Sequence, residues 1–244
     1  SATFLMEAAL TSLVERDVLD LTNGAFSERW REIGQSLGRA SDQIAAPWGE
    51  IVDPELVRQA LRRKRYEAVT VAHNETSTGV ANPLREIARV VREESEALLL
   101  VDAVSSLAGL PLESDAWGLD FVFAGVQKGL ATPPGLTVFT FSERAEAKAA
   151  TIPHRGYYGD LLRYRDKHRE GGPITTAAVS IAWALDLALE RLAREGMEAR
   201  WARHAAMQHQ TADWAAARGF TFASAANGRS ATVSCLRPPS GFAA

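Results

Sequence analysis

Residues 68–102 read AVTVAHNETSTGVANPLREIARVVREESEALLLVD, and this stretch decides the fold class. Ala68 to Ala72 is a short apolar run that reads as a strand. Asn82-Pro83 is a helix start signal: a capping side chain precedes a proline, whose fixed φ suits the first helical turn. Leu84, Ile87, Ala88 and Val91 then fall at i, i+3, i+4 and i+7, which makes one face of that helix apolar. Leu98 to Val101 is an uninterrupted apolar run, the kind buried on both faces of a parallel sheet. Strand, helix and strand in that order predict a β-α-β unit.

The same alternation extends both ways. Upstream, a helix is expected over Phe4 to Val14 and a strand over Val18 to Leu21, ended by Asn23-Gly24. Ser27 is expected to cap a helix from Glu28 to about Leu37, and Asp53-Pro54 to start another that runs to about Arg65. Downstream, Phe121 to Ala124 and Leu136 to Phe141 read as two more strands. Repeated β-α-β order predicts a doubly wound α/β sheet with its ligand site at the carboxyl ends of the strands.

Past Phe141 the character changes. Residues 154–173 are polar and aromatic, with Tyr157, Tyr158, Tyr164 and the breakers Gly171-Gly172-Pro173. Helices are expected over about Ala177 to Glu195 and Met197 to Ala217, with Gly196 as a stop between them, and Ala231 to Leu236 is strand-like. The domain reading is 1–173 for the large domain, and 174–244 for connecting helices and the start of a small C-terminal domain. The chain opens at Ser1 without an initiator methionine and closes just after a strand-like run, so further segments are expected at both ends.

With 244 residues and 46% hydrophobic content, the chain can bury a sizeable core. A net charge of −3 gives no reason to expect nucleic acid or an anionic membrane as partner. The single Cys235 allows no intramolecular disulfide, and five scattered histidines argue against a structural metal site. No apolar run reaches the roughly 18 residues of a membrane span and no signal peptide is evident, so a cytoplasmic protein is expected.

Four lysines stand against twenty-three arginines, and Lys64, Lys148 and Lys167 lie in charged surroundings. Lys128 differs: it follows the apolar Phe121 to Ala124 and precedes Thr132-Pro133-Pro134-Gly135. A lysine leaving a strand into such a loop is placed for desolvation, which makes its amine a usable nucleophile; an ordinary loop lysine is the alternative. Asp102 directly follows a buried strand, where a carboxylate is costly without a cation; the alternative is a cap or turn former. Residues 73–79, HNETSTG, suit ligand hydrogen bonding as well as an ordinary loop. Phe26 lies just past a strand end and reads as a stacking platform or as core. Ser1-Ala2-Thr3 before a helix favours an anion such as phosphate.

HNETSTGV, VDAVSSLAG and Asp120 with AGVQKGLATPPGL resemble the class V aminotransferases, pyridoxal-phosphate enzymes of fold type I. The spacing from Asp102 to Lys128 is similar to that of the alanine/serine–glyoxylate branch. The resemblance implies a cofactor-binding large domain, a mostly parallel sheet between helices, followed by part of a small α/β domain. It implies Lys128 as the Schiff-base lysine, Asp102 against the protonated pyridine nitrogen, Thr76 on the ring hydroxyl oxygen, and Phe26 and Val104 on opposite ring faces. Ser1, Ala2, Thr3 and Gln127 would hold the phosphate, and Thr175 would reach the phosphate of a neighbouring subunit, making a homodimer. The family usually has Thr-Pro at that last place, where this chain reads Ile174-Thr175-Thr176.

The implied reaction is two-stage amino transfer between a small amino acid and a 2-oxo acid such as glyoxylate, with Lys128 moving the proton. The family's carboxylate-gripping arginine would lie beyond Ala244. Competing readings are a phosphoserine aminotransferase, a lyase or desulfurase, and a non-catalytic α/β binding domain in which Lys128 and Asp102 form a structural ion pair. A desulfurase needs a mobile cysteine, whereas Cys235 reads as a buried structural thiol.

Overall fold

A computed structural model describes residues 1–242. In chain order the elements are α1 (Ala2–Leu13), β1 (Asp17–Thr22), α2 (Ala25–Ser36), β2 (Ala40–Ala45), α3 (Pro54–Arg63) and β3 (Ala68–Ala72). There follow β4 (Asn74–Glu75), β5 (Val80–Ala81), α4 (Leu84–Glu94), β6 (Leu98–Asp102), α5 (Ser114–Trp117), β7 (Phe121–Gly125) and β8 (Thr137–Phe141). The remainder is α6 (Glu143–Thr151), α7 (Leu161–Arg169), α8 (Val179–Glu195), α9 (Met197–Ala216), β9 (Thr221–Phe222) and β10 (Leu236–Arg237). The expected domain reading runs through residues 243 and 244, which lie outside the described residues. Among the described residues no helix is long and apolar enough to cross a membrane.

Six strands form one sheet in the order β2-β1-β3-β6-β7-β8, parallel except for β8, which runs antiparallel to β7. Successive side chains of a strand point to opposite faces, and here the inner strands β1, β3, β6 and β7 feed two cores. Leu19, Leu21, Val69, Val71, Leu99, Val101 and Val122 pack with Val57 and Leu61 of α3 and Ile87 and Val91 of α4. Their neighbours Val18, Ala68, Leu98, Leu100, Phe121 and Phe123 pack on the other face with Leu5 and Leu10 of α1, Trp30 of α2 and Ala145 of α6. The alternation explains why β3, β6 and β7 are buried along their whole length, and why their sequences are almost wholly apolar. Each fully buried Leu, Val or Phe contributes roughly 1.5–3 kcal/mol.

Local signals held in part. Asp53 caps α3 by accepting from Glu55 N at 2.8 Å, with Pro54 in the first turn. Asn82 does not cap α4: its side chain accepts from Val52 N and donates to Ala72 O, both in the interior. Ser27 is not an N-cap either, since α2 begins at Ala25 with Gly24 at the cap position. The edge strand β2 was not expected because ASDQIA is polar and half-exposed, without the apolar alternation of an inner strand. Helix α7 lies inside the stretch read as polar and aromatic, started by Asp160, which accepts from Leu162 N. Of the run Ala231 to Leu236, only Leu236 is in a strand. Residues 230–235 instead fold back on the sheet end, with Ser230 N donating to Gly79 O and Thr232 Oγ1 to Ser105 O.

Candidate active site

Parallel strands β1, β3, β6 and β7 are neighbours, so their carboxyl ends line one edge. That edge gathers Phe26 beyond β1, Thr76 beyond β3, Asp102 and Val104 at the end of β6, and Gln127 and Lys128 beyond β7. Asp102 opposes Ala72 of β3 on one side and Phe123 of β7 on the other, which places it in the middle of the row.

Asp102 is 5% exposed, and its carboxyl accepts the Val104 N–H at 2.8 Å. Among the described residues no lysine or arginine forms an ion pair with it, so the structural Lys128–Asp102 pair of the binding-domain reading is not found. Burial pushes its pKa up to about 7; the Val104 N–H pulls it down, the Glu75 carboxylate raises it further, and Arg29 and Lys128 lower it through their charges. Asp102 is thus a buried acid that a ligand cation would return to its ionised form.

Lys128 is exposed, so the desolvation expected from its setting is absent in this chain. Its turn is nevertheless tightly built. Ala131 N donates to Lys128 O at 2.9 Å, and Thr132 closes the loop on Val126 O through its N–H at 3.2 Å and its hydroxyl at 3.0 Å. Gly129 is required here, because a Cβ on it would stand 2.2 Å from Leu107 O. Gln127 is exposed, with its amide folded back over Gly125.

Within HNETSTG the polar groups divide. Glu75 and Ser77 are spent on structure: Glu75 accepts from the N–H groups of Phe26, Ser27 and Ser77, and from the hydroxyls of Ser27 and Ser77. Thr76 Oγ1 instead meets Ser105 Oγ at 2.5 Å, a hydroxyl pair joining the loops after β3 and β6. His73 is buried, its Nδ1 without a hydrogen-bond partner among the described residues and its ring edge-on to Trp117, and burial pushes its pKa down to about 4.

Phe26 is half-buried in the first turn of α2, with the Arg29 guanidinium 4.8 Å above its ring. Arg29 also donates to Thr3 Oγ1 at 3.4 Å, which ties the first turn of α1 to the site. Ser1 caps that helix, its hydroxyl accepting from Phe4 N. Ser1 and Thr175 line one groove of about 710 Å³ beside β8; Thr175 is exposed there, and Asp102 is not among the residues lining that groove. Cys235 is a free, half-buried thiol near Ser77 O. Sequence reasoning missed Ser105, Arg29 and the structural duty of Glu75. Arg29 was legible as the residue one helical turn beyond Phe26.

A family model for aminotransferase class-V matches residues 11–236. The chain belongs to that family. It is 39% identical over 218 residues to the soluble hydrogenase small subunit of Synechococcus sp., covering 86% of this chain and 56% of that one. It is 34% identical over 253 residues to the serine–glyoxylate aminotransferase of Methylorubrum extorquens, covering 99% and 63%. Among solved structures, the alanine–glyoxylate aminotransferase from Nostoc sp. superposes with a TM-score of 0.92 at 32% identity, covering 99% of this chain and 65% of that one. The chain therefore spans between half and two thirds of the length of these relatives.

Proposed function

We propose that this chain supplies the cofactor-binding half of a pyridoxal-phosphate-dependent aminotransferase, one that moves an amino group from a small amino acid of the alanine or serine type to a 2-oxo acid such as glyoxylate. One observation carries the reading. A buried carboxyl without a cation, Asp102, ends β6 beside the β7 loop that bears Lys128. The glyoxylate aminotransferases among its relatives support the choice of substrate class.

The groups at the sheet edge fit that cofactor. Asp102 would face the ring nitrogen, and a cation set against it removes the reason for its raised pKa. Phe26 and Val104 offer apolar surfaces for the two ring faces, and Thr76 with Ser105 offers hydroxyls to the ring oxygen. The amides of Ala2 and Thr3 at the start of α1, with Gln127, suit the phosphate. Pyridoxal phosphate, when bound, supplies an electron sink for the α-carbon of an amino acid.

Lys128 then has two duties. Its amine would hold the cofactor covalently and, when free, would carry the proton to and from the α-carbon of the substrate. Asp102 would keep its charge against the ring nitrogen. Thr175 serves the phosphate of a second copy, which makes the active unit a homodimer.

The test is spectroscopic and chemical. Protein mixed with pyridoxal phosphate should gain a visible band that Lys128→Ala lacks, and borohydride should fix the label on Lys128. Absence of the band, or its persistence in Lys128→Ala, refutes the reading. A panel of alanine, serine and aspartate against glyoxylate, pyruvate, 2-oxoglutarate and phosphohydroxypyruvate then identifies the donor and acceptor.

A further inference from the structure

Arg200 lies on α9, far along the chain from the sheet edge, yet its guanidinium is bonded into that edge. Its Nε donates to Ala108 O at 2.8 Å and its Nη2 to Gly129 O at 2.5 Å, while Nη1 donates to the Glu195 carboxylate at 2.9 Å. The side chain is only 13% exposed. Ala108 belongs to the loop that follows Asp102, and Gly129 directly follows Lys128. One planar fork thus spans the loop that follows the candidate acid and the loop that carries the candidate nucleophile.

The contact is built from both sides. Ala108 has φ 65°, a left-handed conformation that an alanine adopts only at a cost, and its carbonyl in that conformation faces Arg200. A side chain at position 129 would collide with Leu107 O, so the loops touch there through bare backbone. Around them Ala108, Val126 and Leu130 form an apolar cluster with Leu192 of α8 and Met197 of α9, which shelters the guanidinium bonds from water. Arg203, one turn along α9, pairs with the same Glu195 but touches neither loop.

We propose that Arg200 is a positioning residue: it fixes the Lys128–Gly129 turn against the loop after Asp102, and so sets where the Lys128 amine stands relative to the Asp102 carboxyl. The inference rests on Lys128 being the cofactor lysine, as proposed above. A lysine at position 200 keeps the charge but has no planar fork with which to bridge both carbonyls and Glu195.

The experiment compares the wild type with Arg200→Lys, Arg200→Gln and Arg203→Ala in the full chain. Without cofactor, hydrogen exchange at the Ala131 and Thr132 amides, which close the Lys128 loop, should quicken about tenfold or more in both Arg200 variants, as expected for loss of charge-assisted bonds, and stay unchanged in Arg203→Ala. With pyridoxal phosphate, both Arg200 variants should shift the pH midpoint of the visible band and slow borohydride fixation on Lys128, whereas Arg203→Ala should do neither. Exchange and midpoint matching those of Arg203→Ala in both Arg200 variants would overturn the proposal. A wild type that takes up no cofactor defeats the functional reading instead, and the exchange comparison still decides whether Arg200 holds the loop.

Discussion

The Glu75 carboxylate accepts the backbone N–H of Ser27 at 2.8 Å, so the first turn of α2 is capped by a side chain from β4. The helix has Gly24 at its own cap position and no side chain there to do this. Glu75→Ala should therefore destabilise the protein by about 2–4 kcal/mol, because it leaves buried donors unmet and removes charge-assisted bonds. Glu75→Gln should cost less. Denaturant titration of the two variants measures the difference, and cofactor affinity should fall with it, since Phe26 stands in the same turn.

Gly24 is needed for clearance and not for its backbone angles, which are extended. A Cβ on it would stand 2.5 Å from both Glu75 Cγ and Ser77 Oγ. Gly24→Ala is expected to cost about 1–3 kcal/mol by overpacking. Combining it with Glu75→Ala should cost less than the two single changes added, because they disturb one contact. A double-mutant cycle in urea checks this.

Asp102 and His73 tilt the stability of the cofactor-free protein in opposite directions over one pH window. The Asp102 carboxyl, raised by burial from 3.8 to about 7, keeps a proton in the folded state that the unfolded chain releases, so its contribution falls as pH rises through that range. His73, lowered by burial from 6.5 to about 4, refuses a proton that the unfolded chain accepts, so its contribution falls as pH drops through that range. Asp102→Asn should make stability rise more steeply with pH than in the wild type, and His73→Phe should do the reverse. Denaturation midpoints collected across the window test both signs.

Lys128 is exposed and among the described residues forms no ion pair, so Lys128→Ala should change folding stability by less than about 0.5 kcal/mol. Covalent cofactor attachment should vanish all the same. A melting curve beside a borohydride-labelling assay separates the two effects; a large loss of stability would mean that the side chain has a structural duty.

The inner strands were legible because both faces of β3, β6 and β7 are buried, which leaves a mostly apolar run as their signature, broken only by Thr70 and the terminal Asp102. Strand β2 has one exposed edge and a polar sequence, and it left no such mark. At the sheet edge, the positions of Phe26, Asp102 and Lys128, at or within four residues of a strand end, were legible because chain position alone sets their place along the edge. Side chains committed by long-range contact were not. Nothing near Glu75 announces that it belongs to α2, and nothing in the helical pattern of α9 separates Arg200, bonded to two distant carbonyls, from Arg203, which is paired at the surface.

Because β8 returns antiparallel to β7, with Gly125 opposite Thr137, the loop bearing Lys128 is anchored to the sheet at both ends and closed again by Thr132 on Val126. A crossover loop would run on to a distant strand; this one returns to the strand it left. The backbone at Lys128 is thus set by its own turn, and the reach of the exposed amine is set by the torsions of the side chain, like an arm turning from its shoulder.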